Sequence, residues 1–391
     1  MQPLAVYVHI PFCTVKCGYC DFNAYAGMDN LKDAYGAALV AEVHANAPLL
    51  SGRSVASIGF GGGTPSEVAA DHVAGVVAAL REHARLEPAA ELTLEANPGT
   101  LDRPQIEALR AAGVTRLSIG AQSFRADELR FLDRIHSPQA TAAAVELARK
   151  AGFESIGLDL IYGLPGQTLD AWIESLVTAI CLGPDHISIY ALTVEDGTPL
   201  ARRVRKGEVT PLDPDAVADL YEAATDSLAA AGYLQYELSN WARPGHHSRH
   251  NMVYWTDGDY LAIGAGAHGY LGGERYENVA HPRAYIAAVE ERAPAPQPGR
   301  ESAYRPGAVM AMADWFSLRL RLLEGFEESE FEARFGVPVR EVGGVVLDDC
   351  VSAGVLDLAP SVRLTRAGRL LHGEVSARFL AHLQNTLAPT G

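Results

Sequence analysis

The stretch "HIPFCTVKCGYCDFNAY", residues 9–25, places three cysteines within eight residues. Cys13, Cys17 and Cys20 have the spacing C-x3-C-x2-C, in a loop that also contains Pro11 and Gly18. Three thiolates at this spacing can surround one [4Fe-4S] cluster and leave one iron open, whereas four cysteines would saturate every iron. The stretch therefore predicts an iron–sulfur cluster with one iron that the protein does not ligate.

Two other chemistries remain open for the same three thiols. A tetrahedral zinc ion would need His9, Asp21 or a distant residue as its fourth donor. A redox-active dithiol is the second alternative. The remaining cysteines, Cys181 and Cys350, stand in apolar segments and are expected to be small buried hydrophobic residues outside the site.

Composition narrows the class of protein. Five cysteines in 391 residues, and no basic region leading into an apolar signal segment, predict a cytoplasmic protein without disulfides. The net charge of −16 is dispersed over many segments, which argues against a nucleic-acid partner. No run of about 18 apolar residues occurs, so the sequence predicts no membrane-spanning segment.

Strand-like and helix-like segments alternate in the first half of the chain, which predicts a parallel sheet with helical crossovers. Asp102 and Ser137 are expected to be N-caps, and Gly113 and Gly152 are expected to end helices. The predicted strands are 4–10, 55–62, 91–97, 116–122, 155–162 and 186–192. The predicted helices are 33–47, 67–85, 102–112, 138–151 and 168–181.

The unusual residues follow the C-terminal ends of these strands. The cysteines follow the first strand, and the others run into "GGGTP", "EANP", "AQSF", "YGLPGQT" and "TVEDGTP". In a parallel barrel these ends open on one face, where active sites are built from the loops. Turn formation explains any single loop, but the run Gly61–Gly63 favours close approach of a ligand or of another backbone segment.

At this point the sequence resembles the radical S-adenosylmethionine (SAM) enzymes. The resemblance covers nearly the whole chain and is most specific for the oxygen-independent coproporphyrinogen III oxidases and their relatives, the HemW-type haem chaperones. It is carried by "VHIPFC" (8–13), "GGGTPS" (61–66), "LEANP" (94–98), "GAQSF" (120–124), "DLIYGLPGQT" (159–168) and "HNMVYW" (250–255).

The resemblance implies an α/β fold, a partial (β/α)6 TIM-like barrel with a C-terminal mainly helical domain, in agreement with the six predicted strands. The expected division is a core barrel over 1–235, a barrel-closing extension over 236–300 and the helical domain over 301–391. In this last part, following a Pro-rich segment, we expect helices near 308–323, 327–335, 338–353 and 366–383 and a small hairpin within 355–365.

The resemblance also implies cofactors and their contacts. SAM would chelate the open iron. One electron passed from a donor through the cluster to SAM would break a carbon–sulfur bond of its sulfonium group, giving methionine and a 5'-deoxyadenosyl radical. Two of the implied SAM contacts have an alternative without a ligand. Tyr7 would then be an ordinary aromatic residue of a strand, and Arg134 an ordinary exposed residue at a helix end. "GAGAHG" (264–269) should complete the wall of the site. The SAM contacts implied are Tyr7, Tyr19, Gly62, Gly63, Thr64, Glu95, Gln122, Arg134, Asp159 and Ala191.

This sequence departs from the pattern of the oxidases, and these departures indicate that it resembles the haem-chaperone branch of the family. Those oxidases have a fourth cysteine two positions after the third, where this chain has Phe22, and an extension before the first strand. "HNMVYW" resembles a haem-binding motif of the chaperones, which implies His250 as the axial ligand, with His246 and His247 as alternatives. A packed surface corner is the ordinary interpretation of that motif.

The expected function is therefore a haem chaperone that passes haem to an acceptor, such as a membrane respiratory protein. The alternative is oxidative decarboxylation of coproporphyrinogen III.

Overall fold

The structure is a computed structural model and describes residues 3–387. The strands within this range are β1 Leu4–Ile10, β2 Phe12–Cys13, β3 Tyr25–Ala26, β4 Ser54–Gly62, β5 Arg85–Ala96, β6 Arg116–Gln122, β7 Ser155–Tyr162, β8 His186–Ala191, β9 Leu234–Glu237, β10 Asn240–Ala242, β11 Tyr260–Ile263, β12 His268–Leu271, β13 Glu274–Asn278, β14 Arg300–Tyr304, β15 Leu356–Asp357 and β16 Arg363–Leu364. Most of them belong to one twelve-stranded sheet, in the order β14-β13-β12-β11-β1-β4-β5-β6-β7-β8-β10-β9.

Helices connect the central strands and form the C-terminal part of the chain. They are α1 Lys32–Ala45, α2 Ala47–Leu50, α3 Ala70–His83, α4 Arg103–Ala111, α5 Ala126–Phe131, α6 Pro138–Lys150, α7 Leu169–Cys181, α8 Pro199–Arg205, α9 Pro214–Ala230, α10 Arg249–Trp255, α11 Pro282–Arg292, α12 Ala308–Leu320, α13 Glu328–Phe335, α14 Val339–Ser352, α15 Arg366–Arg369 and α16 His372–Leu387. No helix within residues 3–387 has both the length and the apolar character needed to cross a bilayer.

The six predicted parallel strands are confirmed. Neighbours β1, β4, β5, β6, β7 and β8 pair in parallel register, and nearly every residue of β1 and β7 is buried. Burial of both faces is typical of a parallel sheet covered by crossover helices. A seventh parallel strand, β11, pairs with β1 and was not predicted, because "YLAI" is only four residues long.

The predicted helix boundaries are confirmed at the capping residues from which they were predicted. The Asp102 side chain accepts from Gln105 N, and that of Ser137 accepts from Ala140 N. Gly113 follows α4 with a φ of +103°, a left-handed conformation that favours glycine. Local capping chemistry thus sets the length of the crossovers.

Antiparallel strands extend the sheet at both edges. β10 and β9 lie beside β8, and β12, β13 and β14 follow β11. The expected divisions after 235 and 300 fall inside β9 and β14, so both divisions cut strands of this sheet. The division of the chain into three parts stays a proposal.

The C-terminal helices have a hydrophobic core of their own, rich in aromatic side chains. Phe316 of α12 stacks on Phe379 of α16 at 3.9 Å between ring centroids, and Trp315 packs edge-on against Phe326. Three of the four predicted helices and the hairpin β15–β16 are present, whereas the predicted helix 366–383 is divided into α15 and α16 by a turn at residues 370–371. Cys350 is buried in this core as predicted, but the prediction for Cys181 was wrong, since this cysteine is exposed at the end of α7.

One buried carboxyl fastens the seventh parallel strand and its extension to the barrel. Glu42 of α1 is 1% exposed and accepts from Gly264 N at 2.9 Å, Asn278 Nδ2 at 3.0 Å and the Tyr285 hydroxyl. Burial raises the pKa of Glu42 from about 4.5 to about 7, despite these three donors. Between pH values of about 4.5 and about 7, Glu42 therefore carries a proton in the native state but has lost it in the unfolded chain.

We expect this proton to make stability depend on pH. As pH rises from about 4.5 to about 7, Glu42 destabilises the native state by an amount that grows to about 3 kcal/mol. Glu42→Gln cannot ionise, so its free energy of unfolding should fall less over that window than that of the wild type. Parallel pH slopes in denaturant titrations of the two proteins would contradict the prediction.

Candidate cluster and SAM site

The cysteine loop follows β1 and is fixed by contacts with distant loops. Cys20 N donates to Cys17 O at 3.1 Å, which closes a turn inside the loop. Gly18 N donates to Asp133 Oδ2 at 3.1 Å, and Gly18 O accepts from Leu200 N at 2.8 Å. A β-carbon at Gly18 would lie 2.5 Å from Asp133 Oδ2, so a side chain there would displace the carboxylate that accepts from Gly18 N.

The arrangement of the sulfurs separates the cluster from the zinc alternative. Among the described residues, Cys13, Cys17 and Cys20 do not form a group whose sulfurs all lie within 4.8 Å of one another. Three thiolates on one tetrahedral zinc, with bonds of about 2.3 Å, would lie about 3.8 Å apart. The sulfurs are therefore not arranged as a preformed zinc site, and a cluster in which each sulfur binds a different iron stays the prediction.

The three thiols are half-buried at the edge of a pocket. Cys13 Sγ is 3.4 Å from Thr64 Oγ1, and Arg134 Nη1 lies 3.8 Å from Cys17 Sγ. Burial raises the pKa of Cys13 to about 11 and also raises that of Cys20. These two thiols are protonated at neutral pH until iron binds, so cluster assembly releases protons.

A cavity of about 410 Å³ opens at the C-terminal ends of the parallel strands, with the cysteine loop at its edge. Its volume lies in the range of small-molecule sites. Nine of the ten predicted SAM contacts line it, and their role as contacts stays a prediction. They are Tyr19, Gly62, Gly63, Thr64, Glu95, Gln122, Arg134, Asp159 and Ala191.

Packing within the protein, and not only ligand access, requires glycine at these positions of the glycine loop. A β-carbon at Gly63 would lie 2.7 Å from Phe12 O, and one at Gly62 would lie 2.6 Å from the His9 ring. Gly62 also has a φ of +115°, which L side chains rarely adopt. Close approach of a backbone is therefore confirmed, and side chains here would displace the segment that carries Cys13.

Two acids and one arginine are among the polar residues that line the cavity. Although Glu95 is exposed to the cavity, its enclosure in the barrel mouth, together with the nearby Asp159, raises its pKa to about 7. Glu95 Oε2 accepts from Gly62 N at 3.3 Å, and Ser118 donates to Asp159. Arg134 is largely inside the fold, unlike the exposed alternative, and its Nη2 donates to Gly120 O at 2.9 Å.

The residues present fit a [4Fe-4S] cluster with SAM. Three thiols converge on one edge of the cavity, and the buried Arg134 Nε has no partner among the described residues, which suits a carboxylate ligand. The acids can accept from hydroxyl and ammonium groups. When bound, the cluster and SAM supply one-electron chemistry, while this chain binds, orients and shields them.

Tyr7 and "GAGAHG" lie away from the cavity wall. The Tyr7 hydroxyl is 3.0 Å from His9 Nδ1, and this tyrosine faces a smaller chamber inside the barrel. Gly266 packs behind the cysteine loop, where a β-carbon would lie 2.2 Å from Asn23 Nδ2. The expectation that residues 264–269 complete the wall was therefore wrong within the described chain, since they support the loop from behind.

The residues of the predicted haem motif make contacts with other residues inside the fold. His250 is 3% exposed, with its Nδ1 3.0 Å from Ser57 Oγ and its Nε2 2.8 Å from the Tyr254 hydroxyl. Trp255 packs under the Arg321 guanidinium, 4.3 Å from the ring centroid. In this conformation neither ring nitrogen of His250 is available to iron, which disagrees with its expected role as an axial ligand.

The sequence missed several residues that line the cavity. Asn97 Nδ2 donates to Thr64 Oγ1 at 2.9 Å and its Oδ1 accepts from Arg134, which links the glycine loop to the arginine. Ser118 supports Asp159, and Tyr190 lies beside both acids. Asn97 falls in "EANP", and Tyr190 is next to Ala191. Their position at the end of a strand was the signal that could have identified them as cavity residues.

The fold and the site together define a radical SAM protein. The family model described as Radical SAM superfamily matches residues 7–179, and the one described as HemN C-terminal domain matches residues 311–371. The structure aligns with coproporphyrinogen III oxidase (HemN) from Escherichia coli with a TM-score of 0.84 at 25% identity, covering 98% of this chain and 91% of that one.

Two curated relatives narrow the family. The protein named "Heme chaperone HemW" of Mycobacterium tuberculosis is 42% identical, over 97% of this chain and 95% of its own length. The protein of the same name from Escherichia coli K12 is 37% identical, over 97% and 99%. The chain belongs to the heme chaperone HemW family.

Proposed function

We propose that this protein is a haem chaperone that binds haem and delivers it to acceptor proteins, with a [4Fe-4S] cluster and SAM as its cofactors. The observation that carries the proposal is identity of 42% over nearly the full length of a protein named as a heme chaperone. Phe22 supports it, because it stands where the oxidases have a fourth cysteine. The protein acts in the cytoplasm, where an electron donor reduces the cluster.

The cluster site and the haem site use different donors in this proposal. Cys13, Cys17 and Cys20 hold the cluster, and the nine cavity residues hold SAM. Among the three histidines considered for haem, His247 is exposed and its ring stacks on Tyr236 at 4.3 Å. His250 could act as a ligand only if α10 moved away from Ser57, since both of its nitrogens are engaged.

We expect one haem to bind per chain when the cluster-loaded protein is titrated without oxygen. The measurement is the shift of the haem absorption band, with the end point read against protein concentration. A variant with alanine at His246, His247 and His250 should bind more weakly and keep its iron and sulfide, because imidazole and thiolate sites are separate. Absence of stoichiometric binding by the wild type would refute the proposal.

A further inference from the structure

A polar chamber of about 120 Å³ lies inside the barrel next to the SAM cavity. Glu95, Ser118, Asp159 and Tyr190 line both spaces, so these residues form a shared wall. The opposite side of the chamber is α10, through His250, Asn251 and Tyr254. The helix that carries "HNMVYW" is therefore the floor beneath the SAM cavity.

Several contacts hold this floor in place. Glu91 of β5 accepts from the backbone N–H groups of Arg249 and His250 at 3.2 and 3.1 Å. The His250 ring fits against the backbone of β4, where a β-carbon at Gly59 would lie 2.3 Å from Nε2. The position of His250 is thus set by packing as well as by hydrogen bonds.

The imidazole of His250 uses both of its nitrogens. Burial lowers its pKa to about 4, so the ring is neutral at pH 7, with one donor and one acceptor. Ser57 engages Nδ1 and Tyr254 engages Nε2. The ring is a bridge between β4 and the last turn of α10.

Tyr254 carries this bridge toward the SAM cavity. Burial raises the pKa of Tyr254, and its hydroxyl shares the chamber with Tyr7 and Glu95. Glu95 in turn accepts from Gly62 N in the glycine loop at 3.3 Å. Tyr254 and Glu95 line the same chamber, so a shift of Tyr254 would change the space beside Glu95.

We propose that His250 is a positioning residue of the SAM site, which fixes Tyr254 against the chamber that Glu95 shares with the SAM cavity. This role goes beyond haem delivery and differs from that of an iron ligand. The role of His250 in SAM binding does not depend on the proposed function. Only its comparison with a role as haem ligand rests on that function.

The test is SAM binding by a pair of variants that each keep one half of the bridge. In His250→Gln the amide reaches the place of Nε2 and can still engage Tyr254, whereas in His250→Asn it reaches the place of Nδ1 and Ser57. We expect His250→Asn and Tyr254→Phe to weaken SAM binding between about threefold and about tenfold, the upper value being that of one whole buried hydrogen bond. His250→Gln and the control Cys181→Ala, at an exposed position outside the site, should stay within about threefold of the wild type.

The measurement is anaerobic calorimetry on cluster-loaded protein, with iron, sulfide and melting temperature recorded for each variant. Equal losses in His250→Asn and His250→Gln, or SAM affinity unchanged in His250→Asn and Tyr254→Phe, would overturn the inference. A haem-ligand role predicts instead a changed haem spectrum in both His250 variants with SAM affinity unaltered. Failure of every protein to bind haem would refute the proposed function alone, because the SAM measurement does not use haem.

Discussion

Cys13→Ala, Cys17→Ala and Cys20→Ala are each expected to abolish the cluster. The wild-type protein, reconstituted without oxygen, should contain about four irons and four sulfides per chain, as one [4Fe-4S] cluster requires. With only three protein ligands, loss of one leaves two thiolates and two open irons. Iron and sulfide analysis, together with the absorption of the cluster, measures the outcome.

The other two cysteines provide the controls for this experiment. Cys181→Ala alters an exposed thiol at the end of α7 and should leave iron and sulfide unchanged. Cys350→Ala should also keep the cluster, although it removes a buried side chain from the C-terminal core. Full cluster content in any variant of the loop would contradict the open-cluster assignment.

The parallel sheet was predictable because its signals are local. β-branched runs, capping side chains such as Asp102, and glycines such as Gly113 each act within a few residues. Strand order then follows from short right-handed crossovers. β11 escaped prediction because its four residues give no detectable periodicity, and its place beside β1 depends on contacts such as those of Glu42 with α11 and β13.

The cavity at the strand ends was predictable for the same reason, since the parallel strands bring their ends to one face. The location of His250 was not predictable, because it depends on the approach of α10 to Ser57, nearly two hundred residues earlier in the chain. The exposure of Cys181 also depends on tertiary packing, since α7 leaves the neighbouring Val177 exposed as well. An apolar segment alone does not determine which of its residues meet the core.

We also expect the wild-type protein to form no protoporphyrinogen from coproporphyrinogen III. Phe22 is 62% exposed and lines the SAM cavity beside the cysteine loop. Its backbone oxygen accepts from Lys16 Nζ at 2.8 Å and from Ala24 N at 2.7 Å, so the loop is held without the aromatic ring. The side chain can therefore be changed with little effect on the cysteines.

The experiment is anaerobic incubation of cluster-loaded protein with coproporphyrinogen III, SAM and a reductant, with the Escherichia coli coproporphyrinogen III oxidase as the positive control. Turnover by the wild-type protein would show that Phe22 does not prevent decarboxylation and would favour the oxidase function over the chaperone function. Phe22→Cys, tested beside it, restores the fourth cysteine of the oxidase pattern. Turnover by that variant alone would locate the block at this one position and leave the chaperone assignment of the wild type standing, because the native chain lacks the thiol.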